Sequence, residues 1–402
     1  MVEVLASAAR GASVIAPALR VLHLFANYKW TGPADPAIRC AARLRQRGVD
    51  VLFAQAAWMH RDGEHRIREE LRRRRLPVIT GLLLRKHLRP DSLHRDVAAL
   101  RQRLGRGDHD VLHAHLRSDH LLAVLAARGA RRRGRRVVVV RSLYDPAPES
   151  GWRERLTFPR TDGVVAPTAV CKDEVVRRFG LPAERVLVQE PPVEPRSVAG
   201  RAELRERLGA RETDVLVGIT ARIQPHRRFD LLWQTARRVV DERPATRFVL
   251  LGRGNERDVQ EQVLDPVRAL GLGEHVALPG YLREPDYGKA LAALDVFLFL
   301  VPGSDGTCRA VREAMARGVP VVASRRGMLP AMLQPPGAAE CGLICDEDPA
   351  AMATALLRLA GDETLRQRLG AACHARARGA MDPGAAAARL EAFYLELWRR
   401  GH

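Results

Sequence analysis

Short apolar runs rich in valine and leucine recur along the chain, and amphipathic stretches separate them. The first series is LRVLHLF (19–25), VDVLFAQ (49–55), DVLHAHL (110–116), RVVVVRS (136–142), GVVAPT (163–168) and RVLVQE (185–190). Each has the length and β-branched content of a buried strand. A loop, NYKWTGPAD, follows the first run, and a helix is predicted across Pro36–Arg47. Strands alternating with helices predict a parallel sheet covered on both faces. The rhythm breaks at PPVEPRSVAGR (191–201), which is proline-rich and poor in apolar residues and reads as a linker. It then restarts with DVLVGIT (214–220), RFVLLGRG (247–254), HVALPGY (275–281), DVFLFLV (295–301), VPVVAS (319–324) and GLICD (342–346).

The fold class predicted is therefore α/β, with two doubly wound domains in tandem. The boundaries expected are a mobile extension at 1–18, a first domain at 19–193, a second at 194–380 and a terminal helix within 381–402. That helix places Leu390, Phe393, Tyr394 and Leu397 on one side and is expected to pack back on the first domain. Ligands are expected in the cleft, at the carboxyl ends of the strands.

Composition narrows the classes. At 402 residues and 46% hydrophobic content the chain can build two cores. No apolar run approaches the roughly 18 residues of a membrane-spanning helix. The N-terminus carries Glu3 and Arg10 and does not read as a signal peptide, so a cytoplasmic protein is expected. Six scattered cysteines without a CxxC pair predict neither disulfides nor structural zinc, and CGLIC (341–345) reads as a core or surface pair.

The formal charge is +19, and all but four of the 66 basic residues are arginine. Residues 1–193 carry 36 basic and 20 acidic side chains, whereas 194–402 carry 30 and 27. The first half, with clusters at 72–75, 85–89 and 128–136, is thus expected to face something anionic: a phospholipid surface, a phosphorylated substrate or nucleic acid. Aromatic residues make up only 5%, and no helix-turn-helix, RRM or basic-zipper pattern occurs. Nucleic acid is therefore not expected as a partner, and a nucleic-acid-binding protein stands as the alternative from another class. A dehydrogenase is disfavoured because no Gly-x-Gly-x-x-Gly follows the first strand.

One stretch, GSDGTCRAVREAMARGVPVVAS (303–324), places two carboxylates, Asp305 and Glu313, around a small-residue turn before a buried-looking strand. Helix capping accounts for an aspartate there but not for the whole arrangement. With ARIQPHRRFDLL (221–232), LLGRGNE (250–256) and LGLGEHVALPGYL (270–282) it resembles, in order, the motifs of the family 4 retaining glycosyltransferases, which implies the GT-B architecture of two Rossmann-like domains facing across a cleft. The first half is similar more thinly, through DVLHAHLRSDHLLAVLAA (110–127) and the segment 161–194, which ends Pro-Pro-Val-Glu where many members have Asn-Gly-Val-Asp.

The resemblance implies sugar transfer with retention from a nucleoside-diphosphate sugar, and it assigns roles. Arg222 and Arg227 would balance charge growing on the leaving diphosphate, with Arg227 in place of the usual lysine. Glu313 would accept the ribose hydroxyls. Asp305, where glutamate is usual, would face the sugar. Thr307, Cys308 and Arg309 would offer backbone N–H groups at a helix N-terminus. Gly252 and Gly254 would let the backbone approach the donor, and Tyr281 and Leu282 would lie at the base. On the acceptor side the resemblance points to Thr31 and Gly32, although WTGPAD lacks the common double glycine, and to His115 near sugar and acceptor. His113 is expected to point to the other face of the sheet.

No cofactor and no metal are expected: Asp108-His109-Asp110 and Asp346-Glu347-Asp348 lie outside the donor motif, and arginines would take the place of a cation. No nucleophilic carboxylate is readable on the acceptor side, so a same-face mechanism is expected, in which the leaving phosphate takes the acceptor's proton. The expected acceptor is a cell-envelope saccharide or a lipid-linked one, with the basic domain peripheral at the inner membrane face. A sugar-nucleotide epimerase of the same architecture is the alternative enzyme.

Overall fold

The computed structural model describes residues 19–58, 65–87, 89–194, 201–300 and 306–400. The expected N-terminal extension and Asp305 lie outside the described residues. Seven parallel strands form the first sheet: β1 (Arg20–Phe25), β2 (Asp50–Gln55), β3 (Val78–Ile79), β4 (Val111–Ala114), β5 (Val138–Ser142), β6 (Gly163–Ala166) and β7 (Val186–Val188). Their order is β3-β2-β1-β4-β5-β6-β7. Six more form the second: β8 (Val215–Arg222), β9 (Thr246–Arg253), β10 (Val276–Gly280), β11 (Val296–Phe299), β12 (Val321–Ser324) and β13 (Gly342–Cys345), in the order β10-β9-β8-β11-β12-β13. Each order reverses once, between β1 and β4 and between β8 and β11, which is where open α/β sheets form their ligand crevices.

Strand periodicity sorts the core. On the first sheet Val21, Phe25, Val51, Phe53, Val111, Val138 and Val140 face the helix Ala34–Gln46. Their alternates Leu22, Leu24, Ala54, Leu112 and Val139 face the helices Pro90–Arg106 and Arg117–Arg131. On the second sheet Leu216, Val249, Leu251, Phe297 and Val321 share one layer, and Val217, Ile219, Phe248, Leu250, Leu298 and Val322 share the other. A period of two thus fills both faces of each sheet, as parallel sheets require.

The last helix, Pro383–Arg400, brings Leu390, Phe393, Tyr394 and Leu397 into the apolar layer of the first sheet beside Ala34–Gln46. Gly163 of β6 makes room for it, since a Cβ there would overlap Leu397 and Phe393. The chain crosses between the two sheets twice, side by side. Val193 N–H donates to the Met381 carbonyl at 3.0 Å, and Arg376 pairs with Glu190 at 2.6 Å. The strand β3 has no counterpart in the sequence reading. It is a two-residue edge strand, too short to show a period.

Candidate active site

Four loops at the carboxyl end of the second sheet gather most of the residues implied by the donor motifs. Arg222 ends β8 and is exposed, and Arg227 follows, half-buried in a turn at Pro225–Arg227. β8 pairs with β9 so that Ala221 faces Gly252 and Arg222 faces Arg253. A Cβ on Gly252 would overlap the Ala221 carbonyl oxygen, and one on Gly254 would approach Ile223 Cβ and O to 2.8 Å. Both glycines are thus explained by close strand approach. After β10, Tyr281 is exposed at 43%, with the Arg253 guanidinium 4.4 Å from its ring centroid, while Leu282 packs against the core.

Glu313 lies in the helix Arg309–Met315, which follows β11. One carboxylate oxygen is 3.2 Å from Arg309 Nε, and the other accepts a hydrogen bond from the Tyr287 hydroxyl at 3.1 Å. Tyr287 reaches back to Thr220 Oγ1 of β8 at 3.5 Å. Burial, with Glu313 beside it, holds the phenol above its usual range, so Tyr287 is a hydrogen-bond donor to the carboxylate. The carboxylate is fixed in place by a short chain of side chains that runs from β8 through the helix Asp286–Ala293 to its own helix. Thr307 and Cys308 precede this helix, both buried. Cys308 has a φ of +47°, a left-handed conformation that costs a side-chain-bearing residue about 1–2 kcal/mol.

The turn before this helix meets the first domain. A Cβ on Gly306 would overlap Asp145 and lie 2.7 Å from the Tyr144 carbonyl oxygen. Arg312, with no exposed surface, donates through Nε to the Thr307 carbonyl at 2.9 Å and through Nη1 to the Pro192 and Pro191 carbonyls at 2.9 and 3.3 Å. Its Nη1 is 4.0 Å from Asp35, which pairs with Arg39 at 2.8 Å. Burial pushes the Asp35 carboxyl up, but Arg39, Arg312 and Arg309 overcome it and hold the group below its ordinary value. Farther out, Arg66 of the helix Arg66–Arg73 donates to the Tyr281 hydroxyl at 2.9 Å.

Thr31 and Gly32, the residues expected on the acceptor side, lie in the loop after β1, where the Thr31 carbonyl accepts from Ala34 N–H at 3.0 Å. Asp119 knits this region to the loop after β4, accepting from Ala26 N–H at 3.1 Å and Leu116 N–H at 2.7 Å. Burial raises its carboxyl to about 7 against the pull of Arg141.

His115 is 1% exposed, with both ring nitrogens engaged: Nδ1 lies 2.6 Å from the Tyr144 hydroxyl, and Nε2 lies 2.9 Å from His23 Nδ1. The expectation for His113 fails. Its ring lies 4.4 Å from that of His115 on the same face, because residues two apart in a strand point the same way. His113 bridges the Tyr394 and Ser142 hydroxyls, and His23 Nε2 has no hydrogen-bond partner among the described residues. The three imidazoles come within 4.8 Å at their nitrogens. His23 and His115 nevertheless meet nitrogen to nitrogen at 2.9 Å, so one lone pair of the two is taken up by the other ring's N–H, and both nitrogens of His113 are taken up by hydroxyls, instead of converging on one ion. Burial lowers all three pKa values, that of His23 to about 3, so the cluster is neutral.

Sequence reading missed Tyr287, Tyr144, His23 and the Asp35–Arg39–Arg312 group. A local signal existed for two of them: His23 is a histidine inside the apolar strand LRVLHLF, and Arg312 is a charge between Val311 and Ala314 on a buried helix face.

Two sequence profiles match: "Glycosyltransferase Family 4" over residues 37–197 and "Glycosyl transferases group 1" over 214–362. Mannosylfructose-phosphate synthase of Agrobacterium fabrum is 28% identical over 186 residues, 44% of this chain and 40% of the relative. D-inositol 3-phosphate glycosyltransferase of Streptomyces scabiei is 29% identical over 262 residues, 62% of this chain and 58% of the relative. The match therefore spans less than two thirds of these curated relatives. Among solved structures, Anabaena HepE in complex with UDP superposes with a TM-score of 0.75 at 19% identity, covering 93% of this chain and 99% of HepE. A glycosyltransferase from Rickettsia africae gives 0.76 at 12% identity over 95% and 99%. These likenesses place the fold in the two-domain GT-B class. The chain belongs to the family 4 glycosyltransferases.

Proposed function

We propose that the chain transfers a sugar, with retention and without a metal ion, from a nucleoside-diphosphate sugar to a saccharide or lipid-linked acceptor. The observation that carries this reading is Glu313, anchored by Arg309 and Tyr287 at the carboxyl end of the second sheet. Two fixed carboxylate oxygens suit the paired hydroxyls of a ribose. Arg222 and Arg227 take the growing charge of the leaving diphosphate, which is the role a cation would otherwise fill. The backbone around Thr307, Cys308 and Arg309 faces the same group, and Asp305 orients the sugar. Tyr281 and Leu282 line the base, and Gly252 and Gly254 the approach to it. The leaving phosphate takes the acceptor's proton on the face it departs from. His115, fully engaged by Tyr144 and His23, acts by holding the cleft floor and not by titrating.

HepE has been crystallised with UDP and with UDP-glucose, which makes uridine the first nucleotide to test. Two relatives are named for phosphorylated sugar or inositol compounds, and an anionic acceptor suits a first half with 36 basic side chains against 20 acidic. An acceptor held at the inner face of a membrane suits the same charge. Among the described residues no helix is long and apolar enough to cross a membrane.

Thermal unfolding with UDP, GDP, ADP, CMP and NAD, with and without EDTA, tests the reading in wild type and Glu313→Ala. A ligand at about one hundred times its Kd adds ~2.7 kcal/mol and raises Tm by several degrees. One nucleoside diphosphate should stabilise the wild type, ignore EDTA and lose its effect in the variant. Equal stabilisation of both proteins, or dependence on the metal, would overturn it.

A further inference from the structure

We propose that Arg312 is a positioning residue that makes the geometry of the donor loop depend on the first domain being in place. The assignment of this loop to the donor rests on the function proposed above.

A guanidinium with no exposed surface is costly unless its donors are used, and an apolar side chain of similar volume is often at least as stable at such a position. Arg312 is therefore to be judged by what it holds. Its fork reaches three separate pieces of chain. Nε holds the carbonyl of Thr307, which starts the turn into the donor helix. Nη1 holds Pro191 and Pro192, where the chain leaves the first sheet. The same nitrogen faces Asp35, on the helix that follows the acceptor-side loop of Thr31 and Gly32. A planar fork with fixed directions suits this task better than a flexible ammonium.

The next residue along the helix is Glu313. A displacement of Arg312 thus moves the proposed ribose anchor directly, through a helix of only seven residues. The loop has a second attachment to the first domain, where Gly306 lies against Tyr144 and Asp145. Displacing the first domain would part Arg312 from Asp35 and unsettle the linker carbonyls that its fork holds. The arrangement is two-valued. With the first domain seated, the donor loop is built; with it displaced, the loop loses its support.

The test uses the full chain with spin labels at Arg133→Cys and Arg257→Cys, both exposed, in a Cys345→Ser background, since the other five cysteines are buried. Interdomain distances are measured by double electron–electron resonance. The wild type should give one narrow distribution. Arg312→Met and Asp35→Asn should each broaden it, the double variant should be no broader than Arg312→Met alone, and Arg312→Lys should recover part of the sharpness. Calorimetry with UDP, GDP and ADP should show the Kd of the binding nucleotide rising about tenfold in Arg312→Met and less in Arg312→Lys.

A distribution that stays narrow in Arg312→Met, whatever happens to Tm, overturns the proposal, as does a wild-type distribution that is already broad. If Arg312→Met fails to fold, Asp35→Asn carries the test, because it leaves the donor helix untouched. If no nucleoside diphosphate binds the wild type, the donor reading fails, while the distances still decide whether Arg312 ties the domains.

Discussion

Acidification from about pH 8 to about pH 5.5 should destabilise the fold by up to about 4 kcal/mol, and the sign follows from which buried groups refuse protons. His23, His113, His115 and His120 are all buried, and burial lowers each pKa, to about 3 for His23 and well below 6.5 for the others. The unfolded chain then takes up protons that the folded chain refuses. Stability is full above the unfolded value of 6.5 and drains as pH falls toward the folded values. At about pH 5.5 a histidine that stays neutral in the fold costs at most roughly 1.4 kcal/mol, so four set a ceiling of about 5–6 kcal/mol. Asp119 has the opposite sign. Its carboxyl is raised from 3.8 to about 7, so acidification through that value stabilises the fold. It returns about 2 kcal/mol at the same pH, which offsets less than half of the loss. His109 adds to the histidine side, and Asp96 and Glu190, both raised by burial, join Asp119 at the acid end. Urea midpoints followed by circular dichroism across this range, at constant ionic strength, measure the sum. His23→Phe should keep the stacking on Phe53, now at 5.9 Å, and shrink the acid loss by about 1.4 kcal/mol. A midpoint that stays level or rises on acidification refutes the reasoning.

Tyr287 and Gly252 offer two further checks of the proposed donor site. Tyr287→Phe leaves Glu313 without its hydroxyl donor, and a lost hydrogen bond to a charged group, at about 1.5–3 kcal/mol, should weaken nucleoside diphosphate binding by about tenfold or more in calorimetry. Gly252→Ala forces β8 and β9 apart at the Ala221 carbonyl and should cost about 1–3 kcal/mol in urea unfolding, before any effect on nucleotide affinity is measured.

The strands were legible because a parallel sheet buried on both faces leaves continuous apolar runs such as VVVV and VFLFL, and observed strands fall inside most of those runs, shorter by one or two residues at the ends. β8 and β9 run differently: β8 extends on to Arg222, and β9 starts at Thr246, one residue early. β3 escaped because two exposed-edge residues have no period to read. The paired acids and glycine turns were legible as ordered motifs. Their support was not, because Tyr287 and Glu313, or Asp35 and Arg312, meet only through tertiary packing and are far apart in sequence. His115 shows the limit from the other direction. A histidine at a strand end signals an interesting position, but the partners that occupy its two nitrogens come from β1 and from Tyr144 after β5.

The last helix carries a consequence for how the protein is made. Phe393, Tyr394 and Leu397 cover β5 and β6 of the first sheet, yet they leave the ribosome after the whole of the second sheet. The earliest-synthesised half therefore waits with an apolar face uncovered and with His113 lacking its Tyr394 partner until synthesis passes residue 394. Vectorial folding, one half completed before the next emerges, is closed to this architecture. The half synthesised second can close its own core first and then hand back the piece that seals its predecessor.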